Sequence, residues 1–215
     1  MSKSFFPDPR QSTEEGIVAV GGNLSPEILL DAYQNGIFPW PQEGAPMLWF
    51  SPDPRGVLDF SELHIPRSLR KWRRQHSDWQ LKINTDFAAI IHHCQQQPRP
   101  GQDGTWILPE VESAYRFLQQ MENSPILSVS CYENGILIGG IYGLLTKMRT
   151  GQTVFSGESM FYLKDNASKI CLWFLVEHLQ SLGHTWMDIQ MVTSVSEVIG
   201  GKYISREDFL DRIGR

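Results

Sequence analysis

Apolar and polar residues follow two different rhythms along the chain, and the change falls near Leu63. Before it, the periodic stretches are short. Ile17 to Val20 reads as a brief strand ending at Gly21-Gly22. Ser25-Pro26 predicts a helix start, because serine can cap free N–H groups and proline suits the first turn. Ile28, Leu29, Ala32 and Tyr33 then recur at helical spacing, and Gly36 can close the helix. Prolines in Phe38-Pro39-Trp40 and in Trp49-Phe50-Ser51-Pro52-Asp53-Pro54-Arg55 forbid a regular helix and predict a rigid, extended path. Aromatics on such loops serve as core plugs or as stacking platforms; the residues alone favour core plugs.

Beyond Leu63 the pattern becomes regular. Pro66 starts a helix dense in basic residues. Phe87, Ile90, Ile91 and Cys94 mark a second helix, and residues 98–104 read as a loop leading to Thr105-Trp106-Ile107. Pro109 opens a third helix with Val111, Ala114, Tyr115 and Leu118 on one face. Ile126 to Tyr132 reads as a strand, Asn134-Gly135 as a hairpin turn, and Ile136 to Leu145 as the returning strand. Thr153 to Phe161 is another strand, Asn166 to Leu182 a long helix closed by Gly183, and Thr185 to Met191 a further strand. Ser205 starts a last helix. A helix linking neighbouring strands predicts a crossover and a parallel pair. The expectation is therefore an α+β protein. A small N-terminal domain spans residues 1–62, and a mixed sheet flanked by helices spans 63–215.

Composition narrows the function. Of 215 residues, 41% are hydrophobic and 20% charged, which suits a packed core and excludes wholesale disorder. No long apolar run follows Met1 and no stretch is long enough to span a bilayer, so a cytoplasmic protein without a membrane partner is expected. The widely spaced Cys94, Cys131 and Cys171 suggest buried thiols rather than disulfides or a zinc site. His92 and His93 are adjacent on a helix and do not share a face, so no metal is expected. A net charge of −5 makes a poor generic nucleic-acid binder, so any RNA contact must be local. Arg67, Arg70, Lys71, Arg73 and Arg74 place five positive charges within eight residues. They form either a solvated helix face or a surface that contacts phosphates without reading sequence.

The strand and helix order from Ile126 resembles the acyltransferase fold of histone acetyltransferase-like enzymes. That resemblance implies acyl transfer. The segment preceding the long helix, Phe161 to Lys169, lacks the glycines that let a backbone approach a diphosphate, which argues against coenzyme A as donor and for no cofactor. Eight segments, in order, resemble the leucyl/phenylalanyl-tRNA–protein transferase family. They are Gly21-Gly22-Asn23-Leu24-Ser25-Pro26, Tyr33 to Trp40, Trp49 to Arg55, Gly104-Thr105-Trp106-Ile107, Gly139-Gly140-Ile141-Tyr142-Gly143, Gly157-Glu158-Ser159-Met160-Phe161, Asn166-Ala167-Ser168-Lys169 and Asp188-Ile189-Gln190. The chain departs from the family pattern at Thr193 to Lys202, where a His and a Ser-Leu-Gly-Ala run are usual. The turn from Thr146 to Thr153 is also longer than usual.

The resemblance implies a donor tRNA charged with leucine or phenylalanine, with methionine a further candidate. It also implies an acceptor protein with N-terminal Arg or Lys, marked thereby for degradation. An aminoacyl ester is already activated, so the enzyme needs orientation rather than a nucleophile. Asp188 and Gln190, two apart on a strand, are expected to face one way into a cleft. By resemblance Gln190 accepts a hydrogen bond from the incoming amine, Asp188 orients Gln190 or attracts the acceptor, and Glu158 sits at the donor pocket. Ile141, Phe155, Met160, Leu172, Leu175 and Met187 occupy the matching positions of that pocket, and the same residues serve equally as ordinary core. Trp40 matches the family's stacking residue for the terminal adenosine of tRNA, and Trp106 and Tyr33 match positions near the donor end. The basic helix then takes acceptor-stem phosphates. Two other readings stay open: a non-catalytic tRNA-binding adaptor, and an acyl-coenzyme-A-dependent N-acetyltransferase on the same fold.

Overall fold

The computed structural model describes residues 4–98 and 104–215, so most of the expected 98–104 loop lies outside the described residues. Three short strands, β1 (Ile17–Val20), β2 (Phe38–Pro39) and β3 (Leu48–Phe50), form an antiparallel sheet in the order β1-β3-β2. Helix α1 (Pro26–Gln34) connects the first two, with Pro26 in its first turn as predicted. The proline-dense segment after β3 does not stay irregular. It runs directly into β4 (Arg55–Asp59), a strand of the larger sheet.

That sheet has seven strands in the order β10-β4-β9-β8-β7-β6-β5. The remaining strands are β5 (Gln80–Ile83), β6 (Ile126–Glu133), β7 (Ile136–Lys147), β8 (Thr153–Tyr162), β9 (Trp186–Gln190) and β10 (Lys202–Ile204). All pairings are antiparallel except β8 with β9, the pair joined by the long helix α5 (Ala167–Ser181). The expected crossover is therefore present. Helices α2 (Arg67–Gln75), α3 (Phe87–Gln96), α4 (Pro109–Gln120), α6 (Ser194–Val198) and α7 (Arg206–Arg212) complete the chain. The chain is thus α+β, with a mixed sheet flanked by helices.

The two faces of the sheet carry separate cores. On one side α1, α3 and α4 bury Leu29, Tyr33, Ile90, Tyr115 and Tyr142, and residues of the three-stranded sheet join the same cluster. On the other side α5 and α2 bury Leu69, Leu127, Val129, Ile141, Leu172 and Leu175. Consecutive glycines of β7 let both helix layers come close. A Cβ at Gly139 would lie 2.6 Å from Ala167 of α5, and one at Gly140 would lie 3.0 Å from Ile90 of α3. A third cluster, with Val57, Trp186 and Phe209, seals the β4 side beneath α7. All three cysteines are buried and none forms a disulfide. Among the described residues no helix is long and apolar enough to cross a membrane.

Candidate active site

Strands β8 and β9 run in register for only two residue pairs, Phe155 with Met187 and Ser156 with Asp188. Past them no pairing continues, and a cavity of about 580 Å³ occupies the gap. Two local irregularities shape its walls. In β8, Tyr142 pairs with Ser159 but Gly143 pairs with Gly157, so Glu158 is the extra residue of a bulge. A bulge re-aims the side chain it carries. In β9, Gln190 has φ +60°, a left-handed conformation that a non-glycine residue adopts at a cost.

The apolar floor of the cavity is formed by Ile141, Met160, Leu172 and Met187, with Ile189 and Met191 beside them. Trp40 and Trp106 form another wall, their rings stacked at 5.7 Å and 15°. Trp40 is half-buried. Trp49, by contrast, is fully buried and donates its indole N–H to the Gly21 carbonyl at 2.9 Å, so it is a core plug. Expected pocket residues Phe155 and Leu175 are not in the wall; both are wholly buried in the core behind it. Tyr33 is also buried and does not reach the cavity, because its hydroxyl is held by Tyr115 at 2.5 Å.

The polar groups of the site form one chain of contacts. Gln190 donates its amide Nε2 to Glu158 Oε1 at 2.7 Å, and Tyr115 donates its hydroxyl to Glu158 Oε2 at 3.0 Å. A carboxylate only accepts, so the Gln190 amide nitrogen is the end that faces Glu158, and Gln190 itself borders the cavity. Burial pushes the Glu158 carboxyl up to about 7, with nearby Asp188 adding to the rise. Burial, and then the charge of Glu158, hold the hydroxyls of Tyr33 and Tyr115 well above the usual phenol range.

Asp188 departs from the expectation that it shares the cleft with Gln190. Its carboxylate points away from the cavity, is almost wholly buried, and takes both arms of the Arg55 fork at 2.9 and 2.7 Å. Ser156 donates to it at 3.3 Å. It reaches Gln190 only through the backbone, accepting that residue's N–H at 2.9 Å. The same-face reading of positions 188 and 190 assumes an extended strand, and the left-handed turn at Gln190 breaks that assumption. Arg55, Tyr115 and Ser156 were not singled out from the sequence. Arg55 ends the Trp49 to Arg55 motif, but its partner is 133 residues away.

The basic cluster lies on α2, away from the cavity wall. Arg67, Arg70, Lys71 and Arg74 are exposed. Arg73 is half-buried, paired with Glu177 at 2.9 Å and laid over the Trp173 ring at 4.3 Å. The segment that departs from the family pattern forms α6, capped by Thr193, which accepts from the Ser196 N–H at 3.2 Å. Thr193, Ser194 and Val195 border the cavity beside Gln190.

Two family models match the chain. "Leucyl/phenylalanyl-tRNA protein transferase" covers residues 57–214, and the N-terminal domain of the same family covers residues 22–53. Similar proteins include three named leucyl/phenylalanyl-tRNA–protein transferase. That of Azotobacter vinelandii is 48% identical over 212 residues, 98% of this chain and 89% of the relative. That of Shewanella halifaxensis is 45% identical over 207 residues, 95% of this chain and 84% of the relative. That of Oleidesulfovibrio alaskensis is 40% identical over 216 residues, 99% of this chain and 85% of the relative. The chain belongs to the leucyl/phenylalanyl-tRNA–protein transferase family.

Proposed function

We propose that this protein is an aminoacyltransferase that moves leucine or phenylalanine from a charged tRNA onto the N-terminal Arg or Lys of an acceptor protein in the cytoplasm. The product is thereby marked for degradation. The observation that carries the reading is the Gln190 carboxamide. Its nitrogen is held by Glu158 and the residue lines an apolar cavity, which leaves the carbonyl oxygen as the group to receive an incoming donor. An amine entering there donates a hydrogen bond to that oxygen and presents its lone pair to the ester carbonyl. The new C–N bond forms as the ester C–O bond breaks. The electron pair leaves on the ribose oxygen of the tRNA, which takes up a proton, while the amine nitrogen loses one. A carboxamide is too weakly basic to hold that proton at neutral pH, so Gln190 orients the amine rather than deprotonating it. Orientation alone can lower such a barrier by roughly 7–11 kcal/mol in the best cases.

The donor half follows from the walls. Ile141, Leu172 and two methionines, Met160 and Met187, suit a leucine or phenylalanine side chain, because thioether chains adapt to branched and aromatic shapes. Trp40 and Trp106 already touch one another, so the terminal adenine stacks on an outer face of the pair rather than between the rings. Such stacking contributes roughly 1–3 kcal/mol per base. Exposed Arg67, Arg70, Lys71 and Arg74 take tRNA phosphates. Asp188, expected from the sequence to be catalytic, is here a support for the Gln190 backbone, and Glu158 a support for its side chain. Residues 1–62 and 63–215 are proposed as the two domains, with β4 lent by the first to the sheet of the second.

The deciding assay uses labelled leucyl-tRNA and a peptide beginning with Arg. Transfer is expected, and Gln190→Ala should lose most of it while binding of the charged tRNA persists. Unchanged turnover in that variant removes Gln190 from the mechanism. A lack of transfer to Arg and Lys peptides by the unmodified protein defeats the whole reading.

A further inference from the structure

We infer that Arg55 and Gly56 of β4 are positioning residues for the transfer reaction: together they form the template on which the Asp188–Met191 segment is bent so that the Gln190 carboxamide enters the cavity. This rests on the function proposed above and extends it to a strand that contributes no side chain to the cavity wall. Every hydrogen-bonding arm of Arg55 is committed. Its Nε and one terminal nitrogen grip Asp188 at 2.9 and 2.7 Å, and the other terminal nitrogen donates to the Gly36 carbonyl at 2.9 Å. Its planar head is also flanked by the rings of Phe38 and Phe209, at 4.9 and 4.5 Å. A guanidinium fixed on all sides fixes the carboxylate it holds.

That carboxylate accepts the Gln190 N–H at 2.9 Å, which ties the residue where the chain turns left-handed. Gly56 supplies the other half of the template. It pairs with Gln190 across β4 and β9, and the ladder slips by one residue between Gly56 and Val57. A Cβ on Gly56 would lie 2.8 Å from the Met191 carbonyl carbon and 3.0 Å from its Cα and N. The bare glycine therefore lets the bent chain lie flat against β4. A strained backbone persists only where its surroundings over-determine it, and here an ion pair and a close backbone contact do so from two directions. Asp188 thus acts through the Gln190 backbone and does not touch the reacting atoms.

The test compares R55K and G56A with the unmodified protein. R55K keeps the charge facing Asp188 but cannot grip both oxygens and Gly36 at once. G56A leaves every polar group in place and pushes only on Met191. Transfer from leucyl-tRNA to an Arg-peptide is measured with both substrates varied. So is binding of a non-reactive aminoacyl-adenosine analogue. Turnover is normalised to the folded fraction. In both variants kcat should fall by about 100-fold, the loss that a displacement of about 1 Å produces. The KM for charged tRNA and the affinity for the analogue should change by less than about 10-fold, because Trp40, Met160 and Leu172 are not on this segment and only Ile189 and Met191, at the edge of the floor, are. If the unmodified protein transfers and either folded variant keeps its kcat, the inference alone is overturned. If analogue binding collapses together with kcat, or if neither variant folds, these contacts serve the fold rather than Gln190, and the inference is again overturned. No transfer by the unmodified protein overturns the functional reading first, and this one with it.

Discussion

Glu158 sits between two donors, the Gln190 amide and the Tyr115 hydroxyl, in surroundings that resist charge. The ionised form accepts from both; a proton on the oxygen that faces Gln190 turns that contact from acceptor to donor and lets the carboxamide flip. With its carboxyl at about 7, the group changes state within the working pH range. Turnover should therefore rise as pH rises through about 7. That limb should disappear in Glu158→Gln, leaving only the ionisation of the acceptor amine. Identical pH–rate profiles with one acceptor peptide would dismiss the role. Stability should run the other way. The folded chain holds this proton more tightly than the unfolded one, so the contribution is complete below pH 4.5 and is lost as pH rises through about 7. At most about 3 kcal/mol is involved. Denaturant melts at pH 5 and pH 8 should differ less for Glu158→Gln than for the parent. Of this site, Glu158, Gln190, Trp40 and Trp106 were legible through family segments. The network behind them was not: neither Tyr115 nor Arg55 has a sequence neighbour that reveals its partner, and a φ of +60° at a glutamine leaves no compositional trace.

Helix α2 shows how one run of charge divides its work. Arg73 folds back onto Glu177 and the Trp173 ring and so helps seat the helix on α5, while Arg67, Arg70, Lys71 and Arg74 face solvent. A pair this open to water adds little stability, with exposed pairs contributing roughly 0–1 kcal/mol. In the proposed docking of tRNA the exposed four are the ones to contact phosphates, and each such contact releases counterions. Lys71→Ala and Arg74→Ala should each lower the salt dependence of charged-tRNA binding by about one in the logarithmic slope, with kcat at saturating donor unchanged. Binding that hardly responds to salt in the parent would move the docking surface elsewhere. The cluster was legible as charge; which arginine turns inward was not, since Glu177 lies on another helix. Long elements were legible for the same physical reason that makes them stable: α5 and the β6–β7 hairpin repeat their pattern over many residues. Strand β4 was missed because it is five residues long, follows two prolines, and is buried at Arg55, Gly56, Val57 and Leu58 in succession, so no alternation marks it.

The molecule is held as one body through β4 and α7. The chain leaves the small sheet at β3 and enters the large one at β4, and Phe209, Leu210 and Ile213 at α7 cover the joint. Arg10 near the N-terminus donates to Glu207, Asp211 and the Arg215 carbonyl, and Arg149 donates to Asn35, so the two ends of the chain are tied across the same joint. Phe209 is the central piece. It is fully buried, lies 4.5 Å from the Arg55 guanidinium, and fills the space that glycine at position 36 leaves, where a Cβ would come within 2.7 Å of its ring. Phe209→Ala should cost about 3–5 kcal/mol, the usual range for deleting a buried ring. Because the cores share residues from both sheets, the loss should appear as one shifted unfolding transition, coincident by tryptophan fluorescence and far-ultraviolet circular dichroism. Separate melting of the small sheet would contradict the shared core. Well below that transition, the same variant should turn over more slowly with an unchanged KM for charged tRNA, because freeing one side of Arg55 loosens Asp188 and the Gln190 backbone but not the tryptophan wall.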